Sequence, residues 1–215
     1  MRVLVVTAVA AEAEAVSAGL APGAGSRVLV GGVGPAAVAA ATATALARDP
    51  YDLVVSAGIA GGFAPRAPIG SLVVADAIVA ADLGAETPEG FLPVEELGFG
   101  RSRHPVPLAL ARRLSAASGA LLGPVLTVST VTGSAARARE LAERHPGAAA
   151  EAMEGFGVAE AAAAHGLPAA EVRAVSNAVG PRDRAAWRIG DALAALRDGF
   201  HRISPVLATP WEGAP

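Results

Sequence analysis

Cysteine, lysine and glutamine are all absent from this chain of 215 residues, and Asn177 is its single asparagine. Without cysteine there can be no disulfide, no thiolate nucleophile and no Cys-ligated zinc or iron–sulfur centre. Without lysine a G-x-x-x-x-G-K-[ST] phosphate loop cannot form in its usual version. The four histidines, His104, His145, His165 and His201, show no spacing such as H-E-x-x-H, so no metal is expected. An excess of positive charge is also missing. Seventeen basic residues face twenty acidic ones for a net charge of -3, which leaves nothing to neutralise the phosphates of a nucleic-acid partner. Nor is there an apolar run near the ~20 residues that a bilayer-spanning helix needs. The N-terminus, with one Arg, a short apolar run and then A-x-A, imitates a signal peptide, but its valines favour a strand. A cytoplasmic protein without membrane or nucleic-acid partners is therefore expected.

What is present alternates. Val/Leu/Ile-rich runs at Arg2–Ala8, Arg27–Val30, Asp52–Ser56, Ser71–Ala80, Pro124–Ser129 and Glu171–Ser176 read as strands. Between them, Ala-rich stretches predict helices through Glu12 and Val16, and over Ala36–Arg48, Leu108–Ser118, Ala135–His145, Glu154–His165 and Ala185–Phe200. The central strands are continuously apolar, as expected when helices cover both faces of a sheet. This predicts an α/β chain forming one domain over residues 1–215. Gly58–Gly62 reads as a turn ending the third strand, Asp82–Pro107 as a long functional loop or partner-contact arm, and the tail from Pro205, with Pro210 and Pro215, as an irregular end.

Chemistry-bearing residues gather near the predicted strand ends. Gly31-Gly-Val-Gly34 and Gly58-Ile-Ala-Gly-Gly62 follow strands and let backbone approach a ligand, or they are simply tight turns. The second lacks the G-x-G-x-x-G spacing, and no acidic residue follows in a convincing dinucleotide position, so no nicotinamide or other cofactor is expected. Glu154, in Ala152-Met-Glu-Gly-Phe-Gly157, can offer a carboxylate to a pair of hydroxyls, or it is an ordinary acidic residue at a helix start. Ser176-Asn177 ends an apolar strand where open α/β sheets place ligand groups, or terminates it in a turn. Gly180-Pro-Arg-Asp-Arg-Ala-Ala-Trp187 is a candidate lid carrying Arg182, Arg184 and Trp187; as a plain solvated loop it would use Trp187 to anchor the next helix.

Together these segments resemble the nucleoside phosphorylase and nucleosidase superfamily, especially the methylthioadenosine/adenosylhomocysteine nucleosidases. The resemblance runs through Thr7-Ala-Val-Ala-Ala-Glu12, Gly32-Val-Gly-Pro-Ala-Ala37, Ser56-Ala-Gly-Ile-Ala-Gly-Gly62, Val128-Ser-Thr-Val-Thr-Gly133, Met153-Glu154-Gly155 and Val175-Ser-Asn177. Within that superfamily, Met-Glu-Gly-Phe-Gly followed by Ser-Asn-x-Val-Gly-Pro-Arg is most similar to the futalosine hydrolase family. The resemblance implies a three-layer α/β/α fold with a central mixed sheet. It also implies a small nucleoside substrate, no cofactor, and a homodimer or larger homo-oligomer in which the Asp82–Gly100 segment reaches a neighbour. Glu12 would position and deprotonate water, Glu154 would hold the ribose hydroxyls, and Met153 would floor the sugar. Ala60, Gly61, Val131, Thr132, Ser176 and Trp187 would line the rest, with Arg182 or Arg184 meeting a substrate carboxylate.

The departures from the adenine-specific relatives carry information. They have Asp where this chain has Asn177. An Asn amide can donate to a 6-oxo oxygen and accept from a protonated N7, a pairing that fits hypoxanthine and fits adenine poorly. It also removes the obvious general acid, so the N7 proton has to come from solvent or another group. Val131 replaces a purine-stacking Phe, for which Phe156 or Phe91 would have to compensate. Ser56 and Ile59 stand where the phosphorylases place phosphate ligands. An apolar Ile cannot donate to an oxyanion, so water rather than phosphate is the expected nucleophile.

Overall fold

The structure is a computed structural model in which residues 1–23 and 25–211 are described. Its order is β1 (Val3–Thr7), α1 (Ala10–Gly19), β2 (Ser26–Val30), α2 (Pro35–Leu46), β3 (Leu53–Gly62), β4 (Leu72–Ala80), β5 (Gly84–Thr87), β6 (Gly90–Pro93), β7 (Arg103–Pro105), α3 (Leu108–Ser118), β8 (Leu121–Thr127), α4 (Ala135–Arg144), β9 (Ala150–Ala152), α5 (Gly155–Ala164), β10 (Ala169–Ala178) and α6 (Ile189–Leu207). The fold is α/β, with a mixed sheet ordered β10-β4-β8-β9-β3-β1-β2 and β7 added to β4. β10 also pairs with β3, so the sheet closes on itself around β10, β4, β8, β9 and β3. No described helix is long and apolar enough to cross a membrane.

β3 changes partner along its length, and that change positions the site. Its first half pairs in parallel with β1 as far as Val6 opposite Ser56. Its end pairs antiparallel with β9, beginning at Gly61 opposite Glu151. Between those points one edge of β3 has no strand beside it, while β10 follows the other edge throughout. The chain leaving β1 and the chain leaving β9 both turn at this gap. Glu12 and Glu154 follow those two strand ends.

The core explains why the sheet holds while its edge opens. Val3, Leu4, Val5 and Val6 are essentially inaccessible, as are Leu53, Val54 and Val55 of the neighbouring strand. Such continuous apolar burial is what a strand covered on both faces requires. Each fully buried Val or Leu contributes about 1.5–3 kcal/mol relative to exposure. α6 shows the helical version of the same pattern: Ala192, Leu196, Phe200, Ile203 and Leu207 are buried at helical spacing against α1 and α3.

Four expectations need correction. Gly58–Gly62 is not a turn but the second half of β3; neighbours on its flanks hold it extended despite its glycines. Asp82–Pro107 is not one long loop, since it carries the β5–β6 hairpin and β7; its reading as a partner-contact arm is untouched by that. The helix over Ala185–Phe200 divides into a 3-10 turn at Arg184–Ala186 and α6, which starts at Ile189. Pro205 does not begin an irregular tail, because it lies inside α6 near its end, where few backbone bonds remain to be lost. Pro210 does follow the helix, and Pro215 lies outside the described residues. The short strand β9 went unrecognised altogether.

His145, just after α4, has an enclosed Nε2 without a hydrogen-bond partner. Burial first, then the nearby Arg144, Arg103 and Arg137, push its pKa down from 6.5 to about 4. Between those values the unfolded chain binds a proton that the folded chain refuses, so stability falls as pH drops through that interval. In urea titrations at pH 7 and pH 5, His145→Asn is expected to lose less stability on acidification than the parent. The expected difference is about 1 kcal/mol once solvent screening is allowed for.

Candidate active site

A cleft of about 730 Å³ opens at the vacated edge of β3. Of the residues expected in it, Glu12, Ala60, Gly61, Val131, Thr132, Met153, Glu154, Ser176, Asn177, Arg184 and Trp187 line its walls. Arg182 does not; its guanidinium lies 5.4 Å from the Trp187 ring centre, with that of Arg184 at 5.8 Å. Neither proposed substitute for a base-stacking Phe reaches the cleft. Phe156 is buried against His104, and the Phe91 ring sits 4.0 Å from the Arg144 guanidinium.

Glu12 is held by backbone. Its Oε2 accepts from the N–H groups of Ala8 and Val9 at 3.0 and 3.3 Å, and its Oε1 accepts from the Ile59 N–H at 2.9 Å. The second is the N-cap donor of α1, and the first belongs to the residue just before it. The third belongs to the β3 edge that β1 and β9 leave unpaired. Three donors fix the carboxylate and leave one of its about four lone-pair positions free for a water. The arrangement needs Gly58, because a Cβ there would run into the Glu12 carboxylate and come within 2.8 Å of Arg173 Nη1.

Glu154 stands immediately before α5. Its Oε1 accepts from the Gly34 N–H at 3.3 Å and its Oε2 from the Met153 N–H at 3.2 Å. Gly34 presents its N–H from a left-handed backbone (φ 89°), a conformation that suits glycine. Glu154 is also ion-paired at 3.2 Å with Arg173, a residue that the sequence did not single out. Arg173 has no accessible surface, and it donates to Glu171 Oε1 at 2.8 Å and to Ser56 Oγ at 3.0 Å. Burial pushes Glu171 up, against the pull of Arg173. Burial opposes the charge on Arg173, but Glu171, Glu154 and Glu12 together override it and raise its pKa. One guanidinium thus pairs with two carboxylates, Glu154 and Glu171, beneath the cleft, and Glu12 adds its charge nearby. The available signal was the alternation Glu171-Val-Arg173 inside an otherwise apolar strand, which puts both charges on one face.

Farther along the cleft, β10 carries a bulge between Val175 and Asn177, with Ser176 as its extra residue. A bulge of this kind bends a strand and re-aims the side chains next to it. Asn177 lies opposite Gly61, its Oδ1 accepting from Ser176 Oγ at 2.8 Å and its amide donating to the Ala178 carbonyl at 3.0 Å. The Arg188 N–H donates to the Ser176 carbonyl at 2.8 Å and returns the Trp187 segment to the bulge. Glu151 was also missed: it is buried in the cleft wall, and both the N–H and the hydroxyl of Thr132 donate to it. Burial raises the Glu151 carboxyl above its ordinary value, and the Thr132 hydrogen bonds oppose that rise.

Residues 8–204 match the family model of the phosphorylase superfamily. A futalosine hydrolase from Streptomyces coelicolor is 63% identical over 99% of this chain and 98% of that one. The chain belongs to the futalosine hydrolase family. A second member of that family, from Acidothermus cellulolyticus, is 48% identical over 98% of this chain and 93% of its own. The solved futalosine hydrolase of Helicobacter pylori superposes with a TM-score of 0.80 at 16% identity, covering 96% of this chain and 98% of that one. A methylthioadenosine/adenosylhomocysteine nucleosidase from Neisseria meningitidis, in complex with methylthio-immucillin-A, also gives 0.80 at 19% identity over 95% and 99% of the two chains. At these identities the two structural matches bear on the fold, which is nucleoside phosphorylase-like.

Arg173→Leu tests the network under the cleft. Removing the guanidinium leaves buried carboxylates unpaired, and the expected loss is about 3–5 kcal/mol of unfolding free energy in urea. A variant as stable as the parent would mean that the buried charges do not depend on one another.

Proposed function

We propose that the chain hydrolyses the N-glycosidic bond of futalosine, releasing hypoxanthine and dehypoxanthine futalosine in the route to menaquinone. The observation that carries this reading is the convergence of Glu12 and Glu154 on the vacated edge of β3, with Asn177 farther along the same cleft. Family membership supports the substrate.

Hydrolysis here requires a positioned water, a stabilised ribosyl cation and a recognised leaving base. Glu12 keeps a lone pair for the water and takes its proton as the oxygen bonds to C1′; the C1′–N9 bond breaks with its electron pair going to the base, and solvent supplies the proton with which hypoxanthine leaves. Glu154 takes the ribose hydroxyls, and its charge stabilises the oxocarbenium-like centre. Its three contacts to Gly34, Met153 and Arg173 fix it before substrate arrives, so little reorganisation is needed when charge develops. Met153 floors the sugar, and Ala60, Gly61, Val131, Thr132 and Ser176 enclose the base. The Asn177 amide, now on the Ala178 carbonyl, turns to the 6-oxo oxygen of the base.

Water as nucleophile gains support from Ser56 and Ile59. The Ser56 hydroxyl is buried and receives Arg173, so it is engaged beneath the cleft, while Ile59 offers the cleft an apolar side chain. Futalosine carries a carboxyphenyl ketone on its 5′ side. Trp187 gives that tail an aromatic face, and Arg184, which lines the cleft where Arg182 does not, gives its carboxylate a cation. The reading extends to a cytoplasmic homodimer or larger homo-oligomer. In support of the oligomer, Gly84–Pro93 within the Asp82–Gly100 segment forms a separate two-stranded sheet, and Phe99 of the same segment is 79% exposed.

The test is chromatographic detection of free base from futalosine, inosine and methylthioadenosine, each with and without phosphate. Phosphate-independent hypoxanthine release from futalosine, faster than from inosine, is expected; adenine release from methylthioadenosine in its place would overturn the assignment. In the same assay Glu12→Gln is expected to abolish release while substrate still binds by calorimetry, and an unchanged rate would remove Glu12 from the mechanism. Asn177→Asp should slow hypoxanthine release by about 100-fold, the upper end of what one unsatisfied polar group costs.

A further inference from the structure

Glu151 has no task in the mechanism above, yet it is a buried carboxylate in the wall of the substrate cleft. Its place follows from the sheet. β9 sets Glu151 opposite Gly61 on one side of β3, and β10 sets Asn177 opposite Gly61 on the other. The two side chains therefore flank the same residue, and both line the cleft. Two strand spacings separate their backbones, on the order of 10 Å, so the two side chains can converge on neighbouring groups of one base edge.

Hydrogen-bond polarity narrows what can lie there. Thr132 brings two donors to that wall, its N–H and its hydroxyl, and both are taken up by Glu151, the first at 2.9 Å. What remains for a ligand at that point is acceptor capacity, since a carboxylate has about four lone-pair positions and Thr132 uses two. A 6-oxopurine carries a ring N1–H beside its carbonyl and satisfies such an acceptor. A 6-aminopurine presents an N1 lone pair there, which would face the carboxylate while the donors it needs are already engaged.

We propose that Glu151 is a specificity-determining residue that accepts the N1–H of a 6-oxopurine, with Thr132 as the positioning residue that orients it. Asn177 and Glu151 then read adjacent atoms of one base edge: the amide donates to the 6-oxo oxygen and the carboxylate accepts from N1. This rests on the reading of the chain as a 6-oxopurine nucleoside hydrolase, and it places base selection on two strands instead of on Asn177 alone.

The experiment compares kcat/KM for futalosine and for its 6-amino counterpart in the parent and in Glu151→Gln, together with dissociation constants for free hypoxanthine and adenine. The parent arm alone decides whether futalosine is cleaved, so failure of the broader reading is seen before any variant is made. Glu151→Gln is expected to lower the 6-oxo over 6-amino preference by about 100-fold and to weaken hypoxanthine binding while sparing adenine. An equal loss on both substrates, or an unchanged ratio, overturns the proposal, because a purely structural role for Glu151 would not distinguish the bases. Should Glu151→Gln fail to fold, Thr132→Val serves as the second variant. It keeps Glu151 and the backbone donor and removes the hydroxyl; a smaller shift of the ratio in the same direction is expected, and no shift refutes the positioning role.

Discussion

A strand that changes partner has to leave a stretch of its edge unpaired, and in this protein everything at the cleft depends on that stretch. β3 is bonded to β1 up to Ser56 and to β9 from Gly61. The backbone groups exposed between them need partners, because a buried donor left unmade is costly. The Glu12 carboxylate meets the Ile59 N–H there. An obligation of the backbone thus becomes the fixed orientation of the Glu12 carboxylate, the proposed general base, with no side-chain partner needed to hold it.

The same gap explains why so much charge is tolerated in an apolar sheet. Glu12, Glu154 and Glu171 come from different segments, and each would be expensive to bury alone. Arg173 lies among them, fully enclosed, with a planar guanidinium that can meet several partners at once. The cluster remains more acidic than basic, which suits a site where positive charge develops on a sugar. A well-paired cluster would lack that negative surplus.

How much of this could be read from the sequence depended on where each residue lay. Glu12, Met153, Glu154 and Asn177 stood out because they are polar or soft residues beside strand ends, and because they repeat one family's pattern. Arg173, Glu171 and Glu151 did not: a charged residue within a strand looks the same whether it faces solvent or a buried partner, and only the closure of the sheet decides which. The Gly58–Gly62 segment was misread as a turn because glycine usually marks one; here small residues are needed for the close approach of Glu12 and Arg173. The strands of the Asp82–Pro107 segment are only three or four residues long, too short for a period-2 pattern to be distinguished from chance. The long apolar strands and the amphipathic helices were legible because burial sets their periodicity directly.

The hydrogen bond from Arg188 to the Ser176 carbonyl gives the cleft a property beyond its shape. It closes the chain between Asn177 and Trp187 into a loop, one end at the bulge that aims Asn177 and the other at the aromatic face. In the proposed binding mode, with the base at Asn177 and the 5′ substituent at Trp187, ordering either end restricts the other, so the two ends of a nucleoside do not dock independently. Thermodynamic linkage makes that dependence mutual: whatever free energy a 5′ substituent adds to base binding, the base adds equally to binding of the substituent. In that mode a nucleoside with no 5′ extension forgoes contacts at Trp187 and, through the tether, part of the order imposed on its base.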